Sequence, residues 1–175
     1  MAEEETQSEV PVVKHGVFVF PNGARYEGQW DEVPVTPQEE GAPPPAEGEE
    51  VPKKKVRHGV GAYKHDGNEY EGEFKNDMMD GHGLFKFMGG DIYDGDWVEN
   101  KFHGNGKYQW QSGAYYIGAW ENNRMHGDGV FVDADSREWK GKFYNGQGPG
   151  LLNLPLTIRE SGAPASEPSG SVSNE

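Results

Sequence analysis

The chain has 175 residues, a formal net charge of −14, 33% hydrophobic and 12% aromatic residues, 26 Gly, 12 Pro and no Cys. Rings are thus a large share of what can be buried, and this much Gly and Pro argues against long helices. Disulfides and thiolate metal sites are excluded, and the acidity disfavours nucleic acid or an anionic membrane as the default partner.

The excess negative charge is six units in residues 1–57, six in 58–150 and two in 151–175, so it is spread along the chain. No apolar run approaches the roughly 18 residues a membrane span needs. Met1-Ala-Glu-Glu-Glu5 lacks the regions of a secretory signal, and Ala2 removes the usual site for myristoylation. A soluble intracellular protein in a reducing compartment is expected.

Residues 1–14 read as an acidic tail. Residues 15–30 hold a first unit: Gly16-Val-Phe-Val-Phe20-Pro-Asn-Gly23, then Tyr26-Glu-Gly28-Gln-Trp30. Residues 31–57 form an acidic, Pro-rich insertion that ends in the basic run Lys53-Lys54-Lys55-Val56-Arg57. Such a composition builds no core. It falls at a hairpin tip, where lengthening a loop from about six to about 28 residues costs only about 1.4 kcal/mol in closure entropy.

Over residues 58–150 the phrase aromatic-x-Gly-x-aromatic returns as Tyr70…Phe74, Tyr93…Trp97, Tyr116…Trp120 and Trp139…Phe143. Its glycines, Gly72, Gly95, Gly118 and Gly141, are spaced by 23 residues, and Gly28 heads the series. Five positions before each lies a turn residue: Gly23, Gly67, Gly90, Gly113 and Ser136. Between the phrases come Gly59-Val-Gly61, Gly81-His-Gly83, Gly104-Asn-Gly106 and Gly127-Asp-Gly129, each followed by a ring such as Tyr63, Phe85, Tyr108 with Trp110, or Phe131. Each unit therefore reads as two short strands. Period two puts rings and glycines on one face and carboxylates on the other, with a tip of about six residues such as Val98–His103. Gly costs a strand stability unless something needs the space above its Cα. A ring from a neighbouring strand lying flat there meets that need. The expected ladder is Tyr26, Trp30, Tyr70, Phe74, Tyr93, Trp97, Tyr108, Trp110, Tyr116, Trp120, Trp139 and Phe143.

Gly150 keeps the first glycine of its pair but Leu152 replaces the second, and Leu151–Ile158 is apolar. That stretch, 151–158, reads as a cap over the sheet end or, through Leu151, Leu152 and Leu154, as a docking segment. Residues 159–175 read as a disordered Ser/Pro/Gly-rich tail.

The pattern resembles the MORN repeat, whose consensus is near Tyr-x-Gly-x-Trp followed by Gly-x-Gly, over residues 15–30 and 58–150. The resemblance implies an all-β fold: an elongated single-layer antiparallel sheet of successive hairpins. It also implies a structural scaffold, here a rigid acidic strip that docks other proteins through its aromatic face, where the ladder lies, its edge strand and its hairpin tips. Short stand-alone members occur in cilia, flagella and sperm, including radial-spoke components, so a place in the cytoskeleton of an axoneme is expected by resemblance. Homodimerisation stays open.

No signature of chemistry competes with this reading. No Gly-x-Gly extends into a phosphate-binding loop. His58, His103 and His126 recur like a ladder of ligands, but equivalent positions two strands apart lie about 9–10 Å from one another, too far to share a zinc ion. Glu71 with Glu73 and Asp94 with Asp96 fall on an open face rather than in a pocket that separates their pKa values. No nucleophile motif is present. The expectation is a non-enzyme without cofactor, metal or small-molecule substrate. The runner-up is a phosphoinositide-binding adaptor using Lys53, Lys54, Lys55 and Arg57. At about 1 kcal/mol per basic residue near an anionic surface, that binding is weak. A third reading is an accessory array for an enzyme carried on a separate chain.

Overall fold

The computed structural model describes residues 13–35 and 51–148. The expectations for the two tails, for the middle of the insertion and for Leu151, Leu152 and Leu154 lie outside these described residues.

Ten strands follow one another: β1 (Lys14–Val19), β2 (Arg25–Pro34), β3 (Lys53–His65), β4 (Asn68–Lys75), β5 (Met78–Lys86), β6 (Ile92–Val98), β7 (Lys101–Gln109), β8 (Tyr115–Glu121), β9 (Arg124–Val132) and β10 (Glu138–Phe143). They form one open antiparallel sheet in the order of the chain, all of it successive hairpins. This is the all-β architecture that the repeat implied.

Two kinds of turn alternate, and local chemistry selects each. The tips within units are two residues long, shorter than the expected six: Asn76-Asp77, Glu99-Asn100 and Asn122-Asn123, all with positive φ. Such backbones suit a twisted hairpin, and Asn and Asp tolerate them. Strand therefore continues through residues counted as loop, so that Val98 pairs with Lys101 and Trp97 with Phe102. The links between units are wider, with Phe87 N–H donating to Asp91 O and Gly90 N–H to Phe87 O, except between β3 and β4, where Asp66-Gly67 is itself a two-residue turn. Gly23, Gly67, Gly90, Gly113 and Ser136 all carry the positive φ their turns require.

The insertion also begins later than its composition suggests. Asp31–Pro34 pairs with Lys53–Val56, and Val35 N–H donates to Pro52 O. Acidic Glu32 faces Lys55, so both ends of the insertion extend the hairpin. Of the 30 acidic residues, 12 lie in 1–12, 36–50 and 149–175, along with a single basic residue, Arg159. The described part thus carries a net charge of only −3, with β3 supplying five of its cations. The sheet is close to neutral, not the acidic strip expected from the chain as a whole.

One row of glycines crosses the whole sheet. Gly16, Gly28, Gly61, Gly72, Gly83, Gly95, Gly106, Gly118, Gly129 and Gly141 face one another in register over all nine strand pairs. The row is what lets a one-layer sheet bury its rings. Tyr26, Tyr70, Tyr93 and Tyr116 lie down over it and are fully buried. Their hydroxyls donate to the carbonyl oxygens of Gln29, Glu73, Asp96 and Ala119, three residues on.

The two glycines of a facing pair meet different neighbours. A Cβ on Gly106 would fall 2.7 Å from Tyr93 Cζ, so here the ring of the paired strand does occupy the space. A Cβ on Gly95 would instead lie 2.5 Å from the Cα of Gly106 and 2.8 Å from the hydroxyl of its own Tyr93. In the aromatic-x-Gly-x-aromatic phrase itself, the bare position thus answers mainly to the opposite backbone.

Candidate interaction surfaces

Tyr70, Tyr93 and Tyr116 are each wedged edge-on between two rings. Tyr93 meets Trp97 of its own strand at 5.2 Å and 89°, and Trp120 of the next unit at 5.5 Å and 89°. Tyr26–Phe74, Tyr70–Trp97 and Tyr116–Phe143 repeat the contact between units. Such pairs add roughly 0.5–1.5 kcal/mol each beyond area burial. Trp97 and Trp120 are pinned further, with Nε1–H donating to Gly83 O and Gly106 O at 3.1 and 3.0 Å.

Tyr26, Tyr70, Phe74, Tyr93, Trp97, Tyr108, Tyr116, Trp120 and Phe143 are therefore all buried, and only Trp30, Trp110 and Trp139 remain partly open. Burial drives the Tyr26 and Tyr116 hydroxyls up to about 12 and raises Tyr70, Tyr93 and Tyr108 as well. The rings thus use their area on one another.

A further position, absent from the expected ladder, completes this core. Met79, Phe102 and Met125 pair with Phe74, Trp97 and Trp120 at the hairpin tips and are at most 3% exposed. Phe102 stacks on Tyr93 with centroids 3.8 Å apart. The same place opposite Trp30 is taken by Arg57.

Successive tips are clasped to one another at these residues. The second turn residue of each hairpin donates its N–H to the carbonyl of the position before: Asp77 to Arg57, Asn100 to Met79, Asn123 to Phe102 and Gly146 to Met125. The side chains return the bond, with Asp77, Asn100 and Asn123 accepting from N–H of Arg57, Met79 and Phe102 at 2.7–2.8 Å. The only sequence signal is the recurrence of Asp or Asn there, which turn chemistry alone already explains.

The basic run is accordingly divided. Arg57 is buried, with Nε 3.1 Å from Asp77 Oδ1 and a terminal nitrogen donating to Asp77 O. Its guanidinium lies over the Tyr63 and Phe74 rings. Lys55 lies over Trp30, which Lys14 covers from its own strand. Lys53 and Lys55 are exposed and Lys54 is half-buried. Of the four cations expected to meet an anionic surface, Arg57 faces the core.

The opposite face is polar and largely exposed. Its middle row runs from Val17 through Glu27, Glu71 and Asp94 to Lys107, Ile117 and Val130. Two of the expected carboxylates have structural work: Glu73 accepts from His82 N–H and Asp96 from Asn105 N–H, where the strands bulge beyond the glycine row. His82 stands between Asp96 at 3.2 Å and Asp94 at 3.3 Å, and its bond to Asp96 lifts its pKa. Burial pushes Asp96 up, but Asn105 N–H and His82 outweigh it and hold the carboxyl below its ordinary range. His126 Nε2 lies 3.5 Å from Glu121, and among the described residues no group of His, Asp and Glu is placed to hold a metal ion. No helix among them is long and apolar enough to cross a membrane.

Comparison with known proteins agrees with this geometry. The family model described as the MORN repeat matches residues 15–25, 70–92, 93–115 and 116–136. No curated protein matches the chain. The matched segments leave out most of β2 and all of β3, which carry the insertion between them, and β10, where Trp139 stands in place of tyrosine.

Proposed function

We propose that this array of MORN repeats is a non-catalytic scaffold that docks other proteins, with its place in the axoneme of a cilium or flagellum, in an assembly such as the radial spoke. MORN repeats suggest a protein-binding or membrane-associated role. The observation that carries the protein-binding reading is the division of the two faces. The rings bury one another, leaving partners the polar face, the hairpin tips and the sheet edges. That face mixes charges of both signs with exposed Val17, Val60 and Ile117, a composition suited to proteins rather than to an anionic bilayer. The axonemal setting rests on resemblance to short stand-alone members of the family.

Affinity purification of the full chain from ciliated cells tests this reading. Recovery of spoke or other axonemal proteins is expected, and a set of purely vesicular partners counts against it. Phosphoinositide liposomes sharpen the choice. Sedimentation with vesicles should stay weak and fall away with salt, and saturable pelleting abolished by replacing Lys53, Lys54 and Lys55 with Ala would favour membrane association instead.

A further inference from the structure

The polar face changes character along the sheet, and the change is centred on β8. In each aromatic-x-Gly-x-aromatic strand the two residues beside the glycine belong to this face. They are Glu27 and Gln29 in β2, Glu71 and Glu73 in β4, Asp94 and Asp96 in β6, Ile117 and Ala119 in β8, and Lys140 and Lys142 in β10. Over the last three units the pair thus runs from acidic through apolar to basic.

We infer that this face joins two copies of the chain, stacked sheet on sheet about a two-fold axis that runs parallel to β8 between them. This rests on the fold and its charges, not on the axonemal reading.

β8 departs from its own repeat. Gln29, Glu73 and Asp96 each accept a backbone N–H at the neighbouring bulge, from Val60, His82 and Asn105. Ala119 stands at the same place and offers Asp128 no acceptor. Ile117 is 49% exposed and joins Tyr115, Val130 and Val132 in one apolar patch across β8 and β9. The strand gives up a bond that its sister strands make and presents an apolar surface in return.

The flanking charges then fit a second copy. β6 and β10 each lie two strands from β8, so the axis sets β10 of one copy over β6 of the other. Lys140, Val130, Ile117, Lys107 and Asp94 form one row. In the stacked pair Lys140 meets Asp94 and Ile117 meets Ile117. Val130 meets the stem of Lys107, whose ammonium lies over its own Tyr115 ring. One row on, Lys142 meets Asp96. Towards the tips Val98 meets Tyr144, and Lys101 meets Arg124 with Glu121 of both copies between them. Every contact off the axis forms twice, as an isologous interface requires. Sheets of one twist stack with their strands nearly aligned, which keeps the rows together.

The groups concerned are free to meet. Among the described residues Lys140 and Lys142 make no ion pair, and Asp94 and Asp96 have only His82. Gly148, where the described residues stop, lies against the Phe143 ring on the opposite face, and the other undescribed residues adjoin β1, β2 and β3. Five strands about 4.8 Å apart and three rows about 6.8 Å apart cover roughly 400–500 Å² per copy. That is about half of a standard interface. The dimer is therefore weak, and is populated where an assembly holds chains close together.

A charge exchange in the full-length chain tests this by sedimentation equilibrium. The unaltered chain should self-associate at roughly 100 μM. Lys140→Glu alone and Asp94→Lys alone should each weaken association at least about tenfold, because each sets like charges together twice. An equimolar mixture of the two should recover it, since both contacts of the mixed pair join opposite charges. Ile117→Asp, at an exposed position, should keep the melting temperature and leave a monomer. A mixture no tighter than either variant, or an Ile117→Asp chain that associates like the unaltered one, would overturn the proposal. So would a monomer at every concentration, the result expected if residues 149–175 or a different protein takes this face.

Discussion

Beside the tips of the middle hairpins, Met79, Phe102 and Met125 fill the gap between one tryptophan or phenylalanine and the next. At the N-terminal hairpin a buried guanidinium fills it, Lys14 and Lys55 cover Trp30, and the strands run on into the insertion. The clasp to the following tip is nevertheless the same, because it uses backbone atoms and one carboxylate or amide oxygen. The repeat therefore fixes its glycine row and its clasp, and leaves the filling of the tip free. Arg57 works there because Asp77 satisfies it, and because a guanidinium lies flat on rings as a thioether does not.

The largest contrast should come from the glycines. Gly106→Val forces a side chain into the Tyr93 ring and should cost about 3 kcal/mol or prevent folding, whereas Gly16→Ala meets Trp30 Nε1 at 3.1 Å and Phe18 Cε2 at 3.3 Å, both half-buried rings, and should cost less than about 1 kcal/mol. Thermal melts of the two compare middle with edge.

The filling of the first tip comes next. Asp77→Ala leaves a buried cation without its partner and should lose about 3 kcal/mol in urea denaturation. Arg57→Met, which copies the middle units, should be neutral or stabilising. If Arg57→Met costs as much as Asp77→Ala, the two tips are not equivalent.

Alkali should act on both regions at once. The folded state holds the tyrosine protons more tightly than an unfolded chain with the ordinary pKa of about 10. Their stabilising contribution is thus whole below pH 10 and is lost as pH climbs towards 12 and beyond. Phenolate absorbance and loss of sheet signal should rise together. Ionisation of these tyrosines with the sheet intact would contradict their burial.

The smallest effect belongs to the polar face. His82 should titrate above the ordinary histidine value by NMR and fall back in Asp96→Asn. Its small contribution to stability is present below about pH 6.5 and lost as pH rises through the raised pKa.

The glycine and tyrosine positions were legible because close packing admits no substitute there and the 23-residue period repeats the demand. Arg57 was not, because three preceding lysines make it look like part of a solvated basic run, and only the pairing with Trp30 turns it inward. Nor were the clasps, since Asn100 and Asn123 suit a two-residue turn whether or not a neighbouring hairpin lies within reach. The tips read as too long because Phe102 was counted as loop, though its pairing with Trp97 makes it strand and core. The charge misled in a similar way, as most of the excess lies outside the described sheet.

The glycine row under the tyrosines is most directly tested by proton NMR of the full chain. A ring lying over a glycine shifts its Hα protons strongly upfield, and Gly61, Gly83, Gly106 and Gly129 should all show this, with cross-peaks to Tyr26, Tyr70, Tyr93 and Tyr116 respectively. Ordinary Hα positions at these four glycines, in a chain that still gives the signal of a folded sheet, would contradict the account.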